Sequence, residues 1–153
     1  MWQRVQTLYL AIGLALLVPL FFCTFFSFET ADGTSQILYR EMGAWGLYLI
    51  LLIVTALLQV LGLLAFRARM VQMWLVIFNA LILLGFQALM VIDIVKFNRF
   101  AAAESLEVFK VAYVTSVFPA VIAILNFMAA GNIMSDEAMV RAASRLRGPR
   151  KKK

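Results

Sequence analysis

The sequence has no histidine and a single cysteine, Cys23. The first absence removes imidazole as a metal ligand or proton shuttle, and the second removes any intramolecular disulfide or redox dithiol. A thiol facing lipid near the end of an apolar run reads as packing. Acids are scarce, 8 against 14 lysines and arginines, and no charge of either sign falls near the middle of a long apolar run. That argues against a proton-coupled exporter, whose buried carboxylate would bind proton and substrate in turn. Quinone-linked disulfide enzymes need paired cysteines, and membrane glutathione transferases an Arg-x-x-x-Asn-x-x-Glu run; neither occurs here. Metal hydrolysis has no histidines and no clustered carboxylates to work with. The chain therefore reads as a non-enzyme with no cofactor and no metal site.

What the sequence has in abundance is apolar length. It is 64% hydrophobic over 153 residues, and its mean hydropathy of +0.93 lies outside the soluble globular range, so one integral membrane domain is expected. The net charge of +6 does not point to nucleic acid, because the basic residues gather at the ends of apolar runs, where membrane proteins place them. Four such runs occur, at 7–26, 44–66, 71–92 and 111–134. Each has about 20–24 residues, enough at 1.5 Å per residue to cross a hydrocarbon core as a helix. The first is longer than a signal-peptide core and is followed by bulky residues, so it reads as an uncleaved span.

The basic knot Phe66-Arg67-Ala68-Arg69-Met70 joins runs two and three and forces them to be antiparallel neighbours. With the knot in the cytoplasm, ten basic residues lie inside and four outside, which predicts an up-down four-helix bundle with both termini cytoplasmic. Trp2, Tyr9 and Trp74 then mark the inner interface, and Tyr39, Trp45, Tyr48 and Tyr113 the outer one. In the first outer loop, Asp32-Gly33 lies between Phe26/Phe28 and Ile37/Tyr39. That spacing signals a small β-hairpin, with an irregular loop as the alternative. Residues 101–110 read as a helical lead into run four. Ser135-Asp136-Glu137 reads as the cap of a short basic amphipathic tail helix, and 135–153 as a cytoplasmic tail. Arg141, Arg145, Arg147, Arg150, Lys151, Lys152 and Lys153 would lie on anionic headgroups. Arg4, on the other terminus, is expected to pair with Asp136 or Glu137.

Three stretches resemble a known family: Gln3-Arg4-Val5-Gln6-Thr7-Leu8-Tyr9-Leu10, Pro119 with Asn126, and Asp136-Glu137-x-x-Val140-Arg141-x-x-x-Arg145-Leu146-Arg147. In order and spacing along the whole chain they are similar to the bacterial four-span membrane proteins catalogued as domain of unknown function 4293. The chain departs from that pattern at Ser135, where a basic residue is usual, and at Ser144, where an acidic one is. The resemblance implies an inner-membrane four-helix protein and brings no activity with it.

Inside the runs the polar residues are amides: Gln59, Asn79, Gln87 and Asn126. Gln59, Asn79 and Asn126 lie seven or eight residues from the inner ends of their runs, about 10–12 Å deep, and can form one layer. Gly13 reaches the same depth on the first run and would allow close approach. Such a layer is either an interhelical clasp or a site for a small ligand. Pro19 and Pro119 should each free a carbonyl, at Ala15 and Thr115, and bend their helices, with a lipid-facing groove as one outcome. The expected function is a structural or accessory subunit that associates with another membrane protein or with itself. The alternative is an oligomeric channel or carrier built around Gln59, Asn79 and Asn126.

Overall fold

The computed structural model describes residues 3–30, 33–38, 46–103 and 109–146. The chain is mostly helical: α1 (Gln3–Leu20), β1 (Thr24–Thr30), β2 (Gly33–Leu38), α2 (Leu47–Leu64), a 3₁₀ turn (Ala65–Arg67), α3 (Arg69–Ala103), β3 (Phe109–Val111), α4 (Tyr113–Ser116) and α5 (Phe118–Leu146). Three helical stretches are long and apolar enough to cross a membrane, Leu47–Arg67, Arg69–Phe100 and Tyr113–Ala143, with a shorter apolar helix at Val5–Leu20. The four long helices close a ring in which α1 packs on α2 and α5, and α3 on α2 and α5. Short connections make α2 and α3 antiparallel neighbours, as the knot requires.

The ends of this ring differ. At one, the sheet end, β1 pairs antiparallel with β2 and with β3, in the order β2-β1-β3. The expected hairpin is therefore present, with Thr30 opposite Gly33, and a third strand joins it on the other edge of β1. A register shift between Thr24 and Phe26 marks a bulge at Phe25. Adjacent strand residues ordinarily face opposite ways, but the extra residue lets Phe25 and Phe26 both bury, with ring centroids 4.1 Å apart. They join Leu20, Tyr48, Leu52, Phe86 and Met90 in the larger core. A smaller core of Leu10, Val76, Ala129 and Ala130 lies toward the other end, the turn end.

Several boundaries differ from the expectation. The first helix stops at Leu20 instead of 26, and Thr24–Thr30 is strand. Pro19 thus sits at a helix end, where its carbonyl accepts the amides of Phe22 and Cys23 at 3.0 and 2.8 Å. Residues 101–103 end α3 and Lys110 lies in β3, so the described part of 101–110 forms no helical lead into the last span; residues 104–108 lie outside the described residues. Asp93 and the polar residues after it read as a loop by hydropathy, yet α3 continues through them; low hydropathy reports unsuitability for lipid, not for helix. Pro119 splits its segment into α4 and α5 and sits in the first turn of α5, where the missing donor costs least. No cap forms at Ser135, because α5 runs on to Leu146. A residue inside a continuing helix has no unpaired amides to cap. Tyr48, expected at an interface, is buried under the sheet.

Candidate functional site

The amide layer lies between the two cores. Gln59 on α2 faces inward because Tyr48, Leu52, Thr55, Gln59 and Gly62 form that helix's buried stripe at three- and four-residue spacing. Its Nε2 donates to the Leu10 carbonyl on α1 and to Asn126 Oδ1 on α5, both at 3.0 Å. Its Oε1 accepts from Asn79 Nδ2 on α3 at 2.6 Å and from Asn126 Nδ2 at 3.1 Å. One side chain thus ties its own helix to the other three long helices. Gln59, Asn79 and Asn126 are at most 1% exposed. Gly13 makes the closure of α1 over the layer feasible, since a Cβ there would stand 2.6 Å from Gln59 Nε2 and 3.2 Å from Ile122 Cγ2. Asn79 Oδ1 is the one buried side-chain oxygen or nitrogen among the described residues without a hydrogen-bond partner.

Gln87, the fourth amide, stands apart from this layer. Its Oε1 accepts from the Ala120 amide at 3.2 Å, one of the donors left open at the start of α5. Near the sheet end the Tyr48 hydroxyl donates to Asp93 Oδ2 at 2.6 Å, and Lys96 Nζ approaches Asp93 Oδ1 at 3.8 Å. Hydropathy did not identify this contact, because Asp93 lies at the edge of its apolar run and Tyr48 reads as an interfacial aromatic.

At the turn end, α1 and α5 meet as neighbours through Gln6, whose Nε2 donates to Asp136 Oδ2 at 2.8 Å. Glu137 accepts from Arg141 Nε at 3.1 Å, one turn along α5. The side chain of Arg4, expected to serve these acids, lies outside the described residues, as do the side chain of Arg145 and all of Arg147, Arg150, Lys151, Lys152 and Lys153. Arg141 is exposed. Gln72 Nε2 donates to the Gly62 carbonyl at 2.9 Å and fastens α3 to α2 just inside the turn. Neither Gln6 nor Gln72 stands in the middle of an apolar run, so sequence reading centred on mid-span polarity passed over both. Their sequence signal is an amide within one or two turns of a helix's charged end.

Among the described residues no cluster of His, Cys, Asp and Glu is arranged to hold a metal ion. Chemically, the layer at Gln59, Asn79 and Asn126 joins helices through neutral amides.

A family model described as Domain of unknown function (DUF4293) matches residues 2–146. No curated protein and no solved structure matches the chain.

Proposed function

The chain belongs to the family described as Domain of unknown function (DUF4293), and from that premise we propose that it is a non-enzymatic structural or accessory subunit of the bacterial inner membrane. It crosses four times, α1 serving as the first span, with both termini and the α2–α3 turn in the cytoplasm and the sheet outside. The 18 residues of α1 reach about 27 Å, close to the hydrocarbon thickness. The 35 residues of α3 reach about 52 Å, so its last turns stand clear of the bilayer beside the sheet. The basic tail lies on anionic headgroups.

The observation that carries this reading is the closure of the amide layer. Gln59 and Asn126 spend their amide groups on one another, on Asn79 Nδ2 and on the Leu10 carbonyl, and of the three amides only Asn79 Oδ1 is left without a partner. That behaviour suits a clasp that fixes the bundle, while a carrier site would hold amides ready for solute. Surface is then what remains for function. Outside its buried stripe, α2 exposes large apolar residues such as Ile50, Ile53, Leu57 and Leu61, a face suited to another membrane helix or a second copy.

Reconstitution separates this reading from a channel or carrier. In sealed liposomes under an imposed potential, the full chain should leave potassium, chloride and proton fluxes at the level of empty vesicles. A flux that appears with the wild type and disappears with Gln59→Leu would overturn the accessory reading. Purification of the tagged chain in a gentle detergent should recover one complex of fixed stoichiometry, or a homo-oligomer of fixed size.

A further inference from the structure

Two cavities open at the turn end, and they differ in charge. The smaller, about 290 Å³, lies between α3 and α5 beside Met70 and Met73. Glu137 and Arg141 line it and pair with each other at 3.1 Å, so it carries no net charge. The larger, about 460 Å³, lies between α1 and the start of α3 and is lined by Gln6, Leu8, Ala11, Phe66, Arg69 and Gln72. That volume falls within the roughly 300–1,000 Å³ usual for small-molecule sites.

Among the described residues Arg69 is the sole charged residue of the lining. It is half-buried, and it has no hydrogen bond or ion pair among the described residues. Of the three polar residues that line the cavity beside it, Gln6 gives Nε2 to Asp136, Gln72 gives Nε2 to the Gly62 carbonyl, and Thr7 is exposed. Asp136, which accepts from Gln6, is not among the residues that line the cavity. The guanidinium therefore keeps its five donors, in a fork that matches the oxygens of a phosphate. It is also the first residue of the 35-residue α3, whose positive dipole end adds to the attraction.

Apolar surface lines both sides of the cavity, Leu8 and Ala11 on α1 and Phe66 on the turn that precedes Arg69. Leu8 and Phe66 are 56% and 60% exposed, and Ala11 continues the same surface about one turn further from the end. Trp74, 64% exposed, lies a little over one turn into α3, at the depth where tryptophan marks a membrane interface. A soluble anion would use only the polar rim. A cation at the mouth with an apolar wall running toward the middle of the bundle matches a molecule that is charged at one end and aliphatic at the other.

We propose that this cavity binds one anionic phospholipid of the leaflet that holds the α2–α3 turn. Its phosphodiester sits on Arg69 and the beginning of an acyl chain lies along Leu8 and Ala11. The proposal rests on the bundle lying in a membrane but not on the accessory role, nor on which side the turn faces. Alkaline extraction of membranes tests the membrane premise separately.

The test uses the full chain in a neutral detergent, stripped of lipid, then mixed with dioleoyl phosphatidylglycerol or dioleoyl phosphatidylcholine and weighed by native mass spectrometry. Choline would bring a second cation to Arg69, so the wild type should take up a single saturable phosphatidylglycerol with roughly tenfold preference, the scale of one charge-assisted hydrogen bond. Arg69→Gln should bring that ratio close to one with an unchanged melting temperature, because Arg69 holds no other part of the fold. Ala11→Trp keeps the charge and fills the groove, and it should lower occupancy by both lipids. Arg141→Gln, at the compensated cavity, should leave the ratio as it was. A ratio unchanged by Arg69→Gln, or occupancy unchanged by Ala11→Trp, would overturn the proposal. Displacement of the lipid by millimolar glycerol 3-phosphate would also overturn it, in favour of a soluble-anion site.

Discussion

At the scale of single residues, the amide layer has one hub. Replacing Gln59 by leucine, similar in size, leaves Asn79 Nδ2 and both amide atoms of Asn126 without the partners they now have. Interhelical hydrogen bonds in membrane bundles average about 0.6 kcal/mol, reaching about 1.7, and an unpaired buried group costs about 1–3 kcal/mol. Gln59→Leu should therefore destabilise the protein by about 1–3 kcal/mol, read from unfolding in detergent followed by helix content. Asn79→Leu should cost less, since it breaks one bond and removes an acceptor that is already unpartnered. The triple variant Gln59→Leu/Asn79→Leu/Asn126→Leu leaves no orphaned amide among the three and should recover most of the loss. Equal losses for the two single variants would count against Gln59 as the hub.

At the scale of elements, the sheet depends on the part of α3 that hydropathy did not extend. Phe97, beyond the expected end of the third run, stacks on Phe26 of β1 with centroids 4.2 Å apart and an interplanar angle of 28°. An aromatic pair is worth about 0.5–1.5 kcal/mol beyond its buried area. Phe97→Ala should therefore speed hydrogen exchange of the β1 and β3 amides by roughly tenfold or more, while protection around Gln59 stays as it is. Loss of protection spreading into the helices would mean that sheet and bundle open as one unit. The hairpin was legible because two short strand-like runs close together in sequence are a local signal, although Gly33, expected in the turn, pairs with Thr30 as the first residue of β2. The pairing of β3 with β1 was not, because it brings together segments about 80 residues apart and three residues of strand leave almost no periodic signal.

At the scale of the whole molecule, the excess of basic residues in the knot at 66–70 and in the stretch 135–153 of the sequence makes a directional prediction. Compartment reporters fused after Leu38 and after Lys153 should report opposite sides of the membrane, with the tail in the cytoplasm. Agreement between the two would exclude the four-span arrangement.

Composition and spacing alone determined that this chain is helical, that the knot at Arg67 and Arg69 makes α2 and α3 antiparallel, and that Gln59, Asn79 and Asn126 are polar residues of the interior. Each of these follows from local chemistry: apolar runs must satisfy their own backbone as helix, and a short connection permits one geometry. The depth of Gln59, Asn79 and Asn126 could also be counted from the helix ends, because rise per residue is constant. Only the tertiary structure decided that Gln59 is the hub, that Gln87 serves the first turn of α5, and that Gln6 stands where α1 meets Asp136. Those assignments depend on how each helix is rotated about its axis. An apolar sequence facing lipid on one side and core on the other encodes that rotation weakly, because both environments accept the same side chains.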